Sequence, residues 1–192
     1  MRAGHHGGVA TRKSDLAARA LSYDGAGATR PESVDWDGAA GFRSFSTTVC
    51  LGTGATCWDG AATAMMSWGV KTRSGFAVEP TSPTGAVRPG ERYWLLARVG
   101  PIVVREPVQV VAAVDEPDRR GFAYGTLHGH PVSGEEAFIV HRNADGSVWL
   151  TLSSLTRSGR GPWRAAFPLA LVAQRWYRRR YLRALRTTGD AD

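Results

Sequence analysis

Apolar residues recur along this chain at two different spacings, and the change from one to the other marks out its elements. From Phe42 to Leu51 the run is β-prone, with Ser46, Thr47, Thr48 and Val49 at its centre. Gly52 to Thr56 breaks that run. Thr56, with Asp59 three residues on, reads as a helix start whose hydroxyl is able to cap free backbone N–H groups. Trp58, Ala61, Ala62, Met65 and Trp68 then recur at spacings of three and four, which gives this helix one apolar face, and Gly69 is placed to end it. Residues 79–90 are rich in Pro, Gly, Ser and Thr and read as a loop.

Beyond that loop the spacing becomes that of strands. Arg92–Val99 is followed by a Gly100-Pro101 turn, and Ile102–Val104 leads into Val108–Val114 as one strand interrupted at Glu106-Pro107, where proline marks an edge or a bulge. Glu116 to Asp118 reads as a turn, Gly121–Thr126 as a strand, Leu127–Gly134 as a loop and Ala137–His141 as a strand. Asn143 to Gly146 makes a hairpin turn into Val148–Ser153. The spacing then predicts a helix from Trp163 to Arg186. Trp163, Phe167, Ala170, Gln174, Tyr177, Tyr181 and Leu185 fall on one side, and Arg175, Arg178, Arg179, Arg183 and Arg186 on the other. Pro168 lies in its first turns, where a missing N–H costs little.

Strands in succession with the helices segregated predict an α+β fold, a curved antiparallel β-sheet closed by the long C-terminal helix. Such a sheet and a single helix rarely fill the space between them, so a cavity is expected there, holding a small hydrophobic or amphipathic molecule. Hydrophobic residues make up 43% of the 192, enough for a core. The apolar stretch Ala165–Ala173 near the C-terminus has only nine residues, where a membrane span needs about 20. The first residues have no apolar core of a secretion signal, so a cytoplasmic location is expected, with tails at 1–15 and 188–192 and one domain at 16–187. Cys50 and Cys57 form neither a C-x-x-C pair nor a disulfide framework and are read as reduced.

Net charge is +7, and the segment from Arg175 to Arg186 holds six arginines and no acid. On a helix this is first the solvated side of an amphipathic element. A weak contact with an anionic surface through these arginines is the alternative, and nucleic acid is not expected. Gly52-x-Gly54 lacks the remaining features of a phosphate loop, and no cofactor is expected.

The densest polar group is Tyr124, Thr126, His128, His130, Glu135 and Glu136. His128 and His130 point the same way on an extended strand, and with Glu135 they have the spacing of a cupin-like metal site; the second half of that motif is missing, so no metal ligand is assigned. The simpler reading is a tight glycine-shaped loop whose backbone is held by Thr126, His130 and Glu135. The two glutamates point to opposite faces of a strand, so only one serves as a pocket base, the other meeting solvent or an arginine. Gln174 is the lone polar side chain on the apolar helix face and needs a partner in the protein or in a ligand.

Gly121-Phe-Ala-Tyr-Gly-Thr-Leu-His-Gly-His-Pro-Val-Ser-Gly-Glu-Glu136 resembles the hallmark of a bacterial and plant domain family of unknown function, numbered nineteen-ninety. Leu21 to Arg30 is similar to that family's opening and Arg180 to Leu185 to its close. The resemblance implies a helix-grip, START-like fold and a superfamily whose members hold hydrophobic ligands, some being cyclases or hydrolases. It implies no reaction for this chain. The expected ligand site therefore has Tyr124, Thr126, His130 and Glu135 at its polar end and Trp94, Trp149, Phe167 and Tyr177 as walls, with Gln174 beside them. Catalytic residues are not assigned. The enzymatic alternative is a cyclase, isomerase or hydrolase using His130 and Glu135 as acid and base.

Overall fold

The computed structural model describes residues 15–31, 33, 36, 38–80, 87–159, 161 and 163–186. The expected tails lie outside these residues except for Asp15, and the greater part of the expected 79–90 loop lies outside them too. Seven strands form one sheet: β1 (Arg43–Thr53), β2 (Phe76–Pro80), β3 (Arg92–Val99), β4 (Ile102–Asp115), β5 (Arg119–Thr126), β6 (Val132–Arg142) and β7 (Ser147–Ser158). Helices α1 (Gly54–Met66), α2 (Gly69–Thr72) and α3 (Trp163–Ala184) accompany them, and residues 15–18 are also helical. The sheet order is β1-β7-β6-β5-β4-β3-β2, with every pairing antiparallel. This is the helix-grip α+β fold: a meander from β2 to β7, the first strand closing beside the last, and α3 along the sheet. None of the described helices is long and apolar enough to cross a membrane.

The sheet's two faces bury different things. Alternation along β5 and β6 turns Phe122 and Phe138, both fully buried, toward the helices, where they join Trp58, Met65, Leu150, Leu152, Tyr177 and Tyr181 in the main core. Each such ring contributes roughly 2–3 kcal/mol over its exposed state. The outer face carries a small second cluster, Leu16, Trp94 and Leu127, covered by the segment that precedes β1.

Several boundaries differ from the sequence expectation. Thr53, not Thr56, is the N-cap of α1, extended at φ −137° and without a side-chain cap bond. The helix ends at Met66, ahead of Gly69, because Trp68 takes a left-handed conformation (φ 62°) and the chain re-enters a helix as α2. The Trp68 ring lies 4.9 Å from that of Tyr93 and 4.6 Å from that of Phe122, and this packing holds the costly backbone. β2 was not foreseen, since five residues are too few to show a period. β4 runs unbroken through Glu106-Pro107, and its bulge falls between Val110 and Ala112. Pro107 lies just past the β5 pairing, where its carbonyl accepts from Leu127 N at 2.9 Å while Leu127 O is taken by His130 N, so its missing N–H leaves no acceptor there unpaired. β6 begins at Val132, within the expected loop. Arg178 is not on the solvated side of α3: its Nη2 donates to Ser154 Oγ at 2.7 Å and its guanidinium stacks 3.8 Å from the Phe45 ring.

Candidate functional site

Between the sheet and α3 lies a cavity of about 470 Å³. It exists because both walls are made of small side chains at that height. α3 presents Ala166, Ala170 and Ala173, and the sheet answers with Ala97 and Val104. Further along the helix the hollow is closed by rings: Phe76 and Tyr177 are 4.5 Å apart, and Tyr177 stacks on Tyr181 at 6.1 Å.

Its floor is polar. Lys71, delivered by α2, is 1% exposed. Its Nζ donates to Glu136 Oε2 at 2.8 Å and to Tyr181 Oη at 2.6 Å, and lies 4.8 Å from the Phe76 ring and 4.9 Å from that of Tyr124. Tyr124 Oη also donates to Glu136 Oε2. Burial first, and the Glu136 charge second, push the hydroxyls of Tyr124 and Tyr181 well above their usual range, so both stay protonated donors. The buried ion pair is thus braced by a tyrosine hydroxyl on each partner, Tyr181 on Lys71 and Tyr124 on Glu136, which offsets part of the cost of removing the charges from water.

A second pair sits on the wall. Glu106 accepts no hydrogen bond from any described residue, and its Oε2 lies 3.8 Å from His130 Nε2, beyond hydrogen-bond reach. The other ring nitrogen of His130 is held by the Val132 backbone, 3.1 Å from its N and 3.0 Å from its O. Burial pushes Glu106 up to about 7; the Glu136 charge adds to this and Lys71 opposes it. Burial, with Lys71 beside it, pushes His130 down to about 3, so the imidazole is neutral at neutral pH.

The polar group that the sequence suggested is therefore split between two faces. Tyr124 and His130 reach the cavity, as do Gln174 and Tyr177. Gln174 finds its partner in the protein, donating to Thr156 Oγ1 at 3.0 Å. Thr126 borders the cavity, but its hydroxyl is taken up by Ser22 Oγ at 2.6 Å and by the Gly134 backbone. Glu135 points to the outer face, where it accepts from Ala28 N and Thr29 Oγ1, each at 3.0 Å. It meets neither solvent nor arginine, and the glutamate under the helix is Glu136. Glu135 is among the residues lining the cavity, as His130 is, but its carboxylate is engaged by Ala28 and Thr29. The cupin-like set fails for the same reason: Glu135 is tied to Ala28 and Thr29, and His130 to Val132, and no group of three metal-ligating side chains converges among the described residues.

Three expected walls are corrected. Trp94 alternates to the outer face, beside Leu16 and Leu127 with the Arg19 guanidinium 5.1 Å from its ring. Trp149 likewise points outward, since its neighbours Val148 and Leu150 are the core residues of β7, and its Nε1 donates to Ser147 Oγ. Phe167 is half-buried and is not part of the cavity lining. Lys71 and Glu106 were missed, yet each left a signal. Lysine occurs only at 13 and 71 in a chain that otherwise uses arginine, so position 71 stands out as one served by a compact point charge in place of a planar fork. Glu106 shares strand parity with Val104, Val108 and Val110, an acid set among core-facing valines.

The comparisons with known proteins agree with this architecture. A UPF0548 protein of Deinococcus radiodurans is 38% identical over 158 residues, covering 74% of this chain and 76% of that protein. A UPF0548 protein of Arabidopsis thaliana is 26% identical over 146 residues, 72% and 69% of the two chains. Among solved structures, a hypothetical protein of Helicobacter pylori matches with a TM-score of 0.56 at 11% identity, covering 80% of this chain and 94% of that one. A protein of Nitrosospira multiformis matches at 0.50 and 12% identity, covering 76% and 97%. These structural likenesses concern the fold alone. Residues 22–184 match the model of the domain of unknown function DUF1990, and the chain belongs to that family.

Proposed function

We propose that this protein binds a small amphipathic molecule in the cavity under α3. One observation carries the reading: an apolar hollow of about 470 Å³, large enough for a small ligand, has a carboxyl group at its wall that no described residue satisfies. The apolar part of the guest lies along Ala97, Val104, Ala166, Ala170 and Ala173. Its polar end meets Glu106 and His130, which offer a carboxyl group and an imidazole nitrogen for donation or acceptance. Lys71 and Glu136 are committed to each other and to two tyrosines, so they set the field of the site and do not contact the guest.

The test has two arms. Native mass spectrometry of freshly purified protein detects a co-purifying molecule. Binding of N-phenylnaphthylamine, an uncharged fluorophore, reports on the hollow itself. Ala170→Phe fills the space and lowers probe affinity by roughly ten-fold or more while the fold melts no earlier. A variant that bound the probe as tightly as the parent would place the probe elsewhere and remove the support for the reading.

The Glu106 and His130 pair also favours a second reading, proton transfer on the bound molecule. A carboxyl tuned to about 7 is suited to act as acid or base at neutral pH. The co-purified molecule, incubated with the parent protein and with Glu106→Gln, is followed by mass spectrometry. Conversion by both at one rate excludes this role.

A further inference from the structure

Among the described residues five large hydrophobic side chains stay exposed, and they are not scattered. Leu169 (74% exposed), Val172 (64%) and Trp176 (51%) form one stripe along α3, at spacings of three and four. Ile102 (63%) and Val103 (43%) form the tip of the β3–β4 hairpin, whose turn is closed at Val99 and Ile102. Both groups border the same opening: Leu169 and Val104, the next residue after Val103, line the cavity from opposite sides. On the helix the stripe lies on the flank nearest β2, where Arg180 stacks over Trp176 at 4.6 Å and reaches Gly75.

The charge around these residues has one sign. Arg98 and Arg105 flank the hairpin tip, and Arg164, Arg175, Arg179, Arg180, Arg183 and Arg186 surround the helical stripe, all exposed. Neither Ala97–Arg105 nor Trp163–Arg186 contains an aspartate or glutamate. An apolar rim of aliphatic side chains and one tryptophan, ringed by arginines, is the pattern of a surface that seats in the interface of an anionic bilayer. Nucleic acid would use the arginines and leave the aliphatic residues without a partner.

From this we infer that the mouth of the cavity docks on an anionic lipid surface, with Leu169, Val172, Trp176, Ile102 and Val103 entering the interface and the arginines meeting the headgroups. The opening under α3 then faces the bilayer. Docking stands on the exposed rim alone and needs no ligand in the cavity.

The probe is the full chain, mixed with vesicles of phosphatidylglycerol and phosphatidylcholine or of phosphatidylcholine alone, and read by co-sedimentation. Binding is expected to the anionic vesicles, roughly ten-fold weaker to the neutral ones, and to weaken further as salt is raised from about 50 to about 500 mM. Leu169→Ser with Val172→Ser, and separately Ile102→Ser with Val103→Ser, are exposed changes that keep the circular dichroism and lower binding roughly ten-fold each. Acyl-brominated lipid quenches the parent's tryptophan emission, and Trp176→Phe removes most of that quenching. Anionic binding that both serine pairs leave intact would reduce the contact to charge alone and overturn the docked rim. Absence of vesicle binding, together with a dimer that the serine pairs dissolve, would assign the stripe to a second copy of this chain.

Discussion

Glu135 and Glu136 are neighbours in sequence and lie on opposite sides of β6: one ties the outer segment through Ala28 and Thr29, the other holds Lys71 under the helix. The strand's alternation separates their tasks completely. The two positions therefore give different phenotypes when changed.

Glu135→Ala leaves the half-buried Ala28 N–H and the buried Thr29 hydroxyl without their acceptor. The cost is about 2–4 kcal/mol, measured by urea denaturation. Amide exchange across 21–31 quickens, since Ser22, Ala28 and Thr29 are held by this group of bonds. Affinity for N-phenylnaphthylamine stays within about two-fold, because the Glu135 carboxylate is engaged by Ala28 and Thr29 and not by the apolar stretch where the probe lies.

Lys71→Met removes the cation from a buried carboxylate and destabilises the fold by about 3–5 kcal/mol. Glu136→Gln costs a similar amount. The double variant is less damaged than the sum, with a coupling of about 1–3 kcal/mol in a double-mutant cycle. Strict additivity would mean that the pair contributes nothing as a pair.

The wall pair sets two opposite pH limbs. Glu106 moves from 4.5 to about 7 on folding, so the folded state holds a proton that the unfolded chain has lost, and stability falls as pH rises from about 4.5 to about 7. His130 moves from 6.5 to about 3, so the unfolded chain takes up a proton that the fold refuses, and stability falls as pH drops below about 6.5. Between about pH 4.5 and pH 6.5 the two slopes oppose and largely cancel in the parent, so melting curves from pH 4 to pH 9 are compared between the parent and a variant that lacks the Glu106 limb. Glu106→Gln flattens that upper limb and stabilises the protein at pH 8 by on the order of 2 kcal/mol. An unchanged upper limb would place the ionisation elsewhere.

Gly134 and Gly60 respond to alanine with opposite signs. Gly134 has φ +144°, and an added Cβ would lie 1.9 Å from the Leu155 carbonyl oxygen, so Gly134→Ala costs about 3 kcal/mol or more. Gly60 sits exposed in α1 with nothing near its missing Cβ, and Gly60→Ala stabilises by about 0.5–1 kcal/mol. Thermal melts of the two variants check the contrast.

Period and turn chemistry made most of the architecture legible before any coordinates. The α3 face, the Asn143–Gly146 hairpin and the strand succession all follow from local rules, because a half-buried strand or helix must alternate or repeat. The hallmark from Gly121 to Glu136 pointed to the right family. The site was read less well. Parity assigned Glu135 and Glu136 to opposite sides without saying which side was inside, since both faces of β6 are covered. Trp94 and Trp149 were judged by size, yet the outer face buries rings too. The hollow itself is written in Ala166, Ala170 and Ala173, where absence of volume is the signal. Lys71 depends on Trp68 entering the left-handed region, a tertiary choice that no propensity predicts.

The closing of β1 beside β7 has a kinetic side. Arg43 pairs with Thr156, about 110 residues further along, so β1 gains its partner only after β7 has left the ribosome. The meander from β2 to β7 is able to zip from local hairpins, whereas β1 must wait with its backbone unsatisfied. A nascent chain stopped short of β7 would expose that lone strand to other copies, and aggregation of such fragments is the physiological hazard this topology carries.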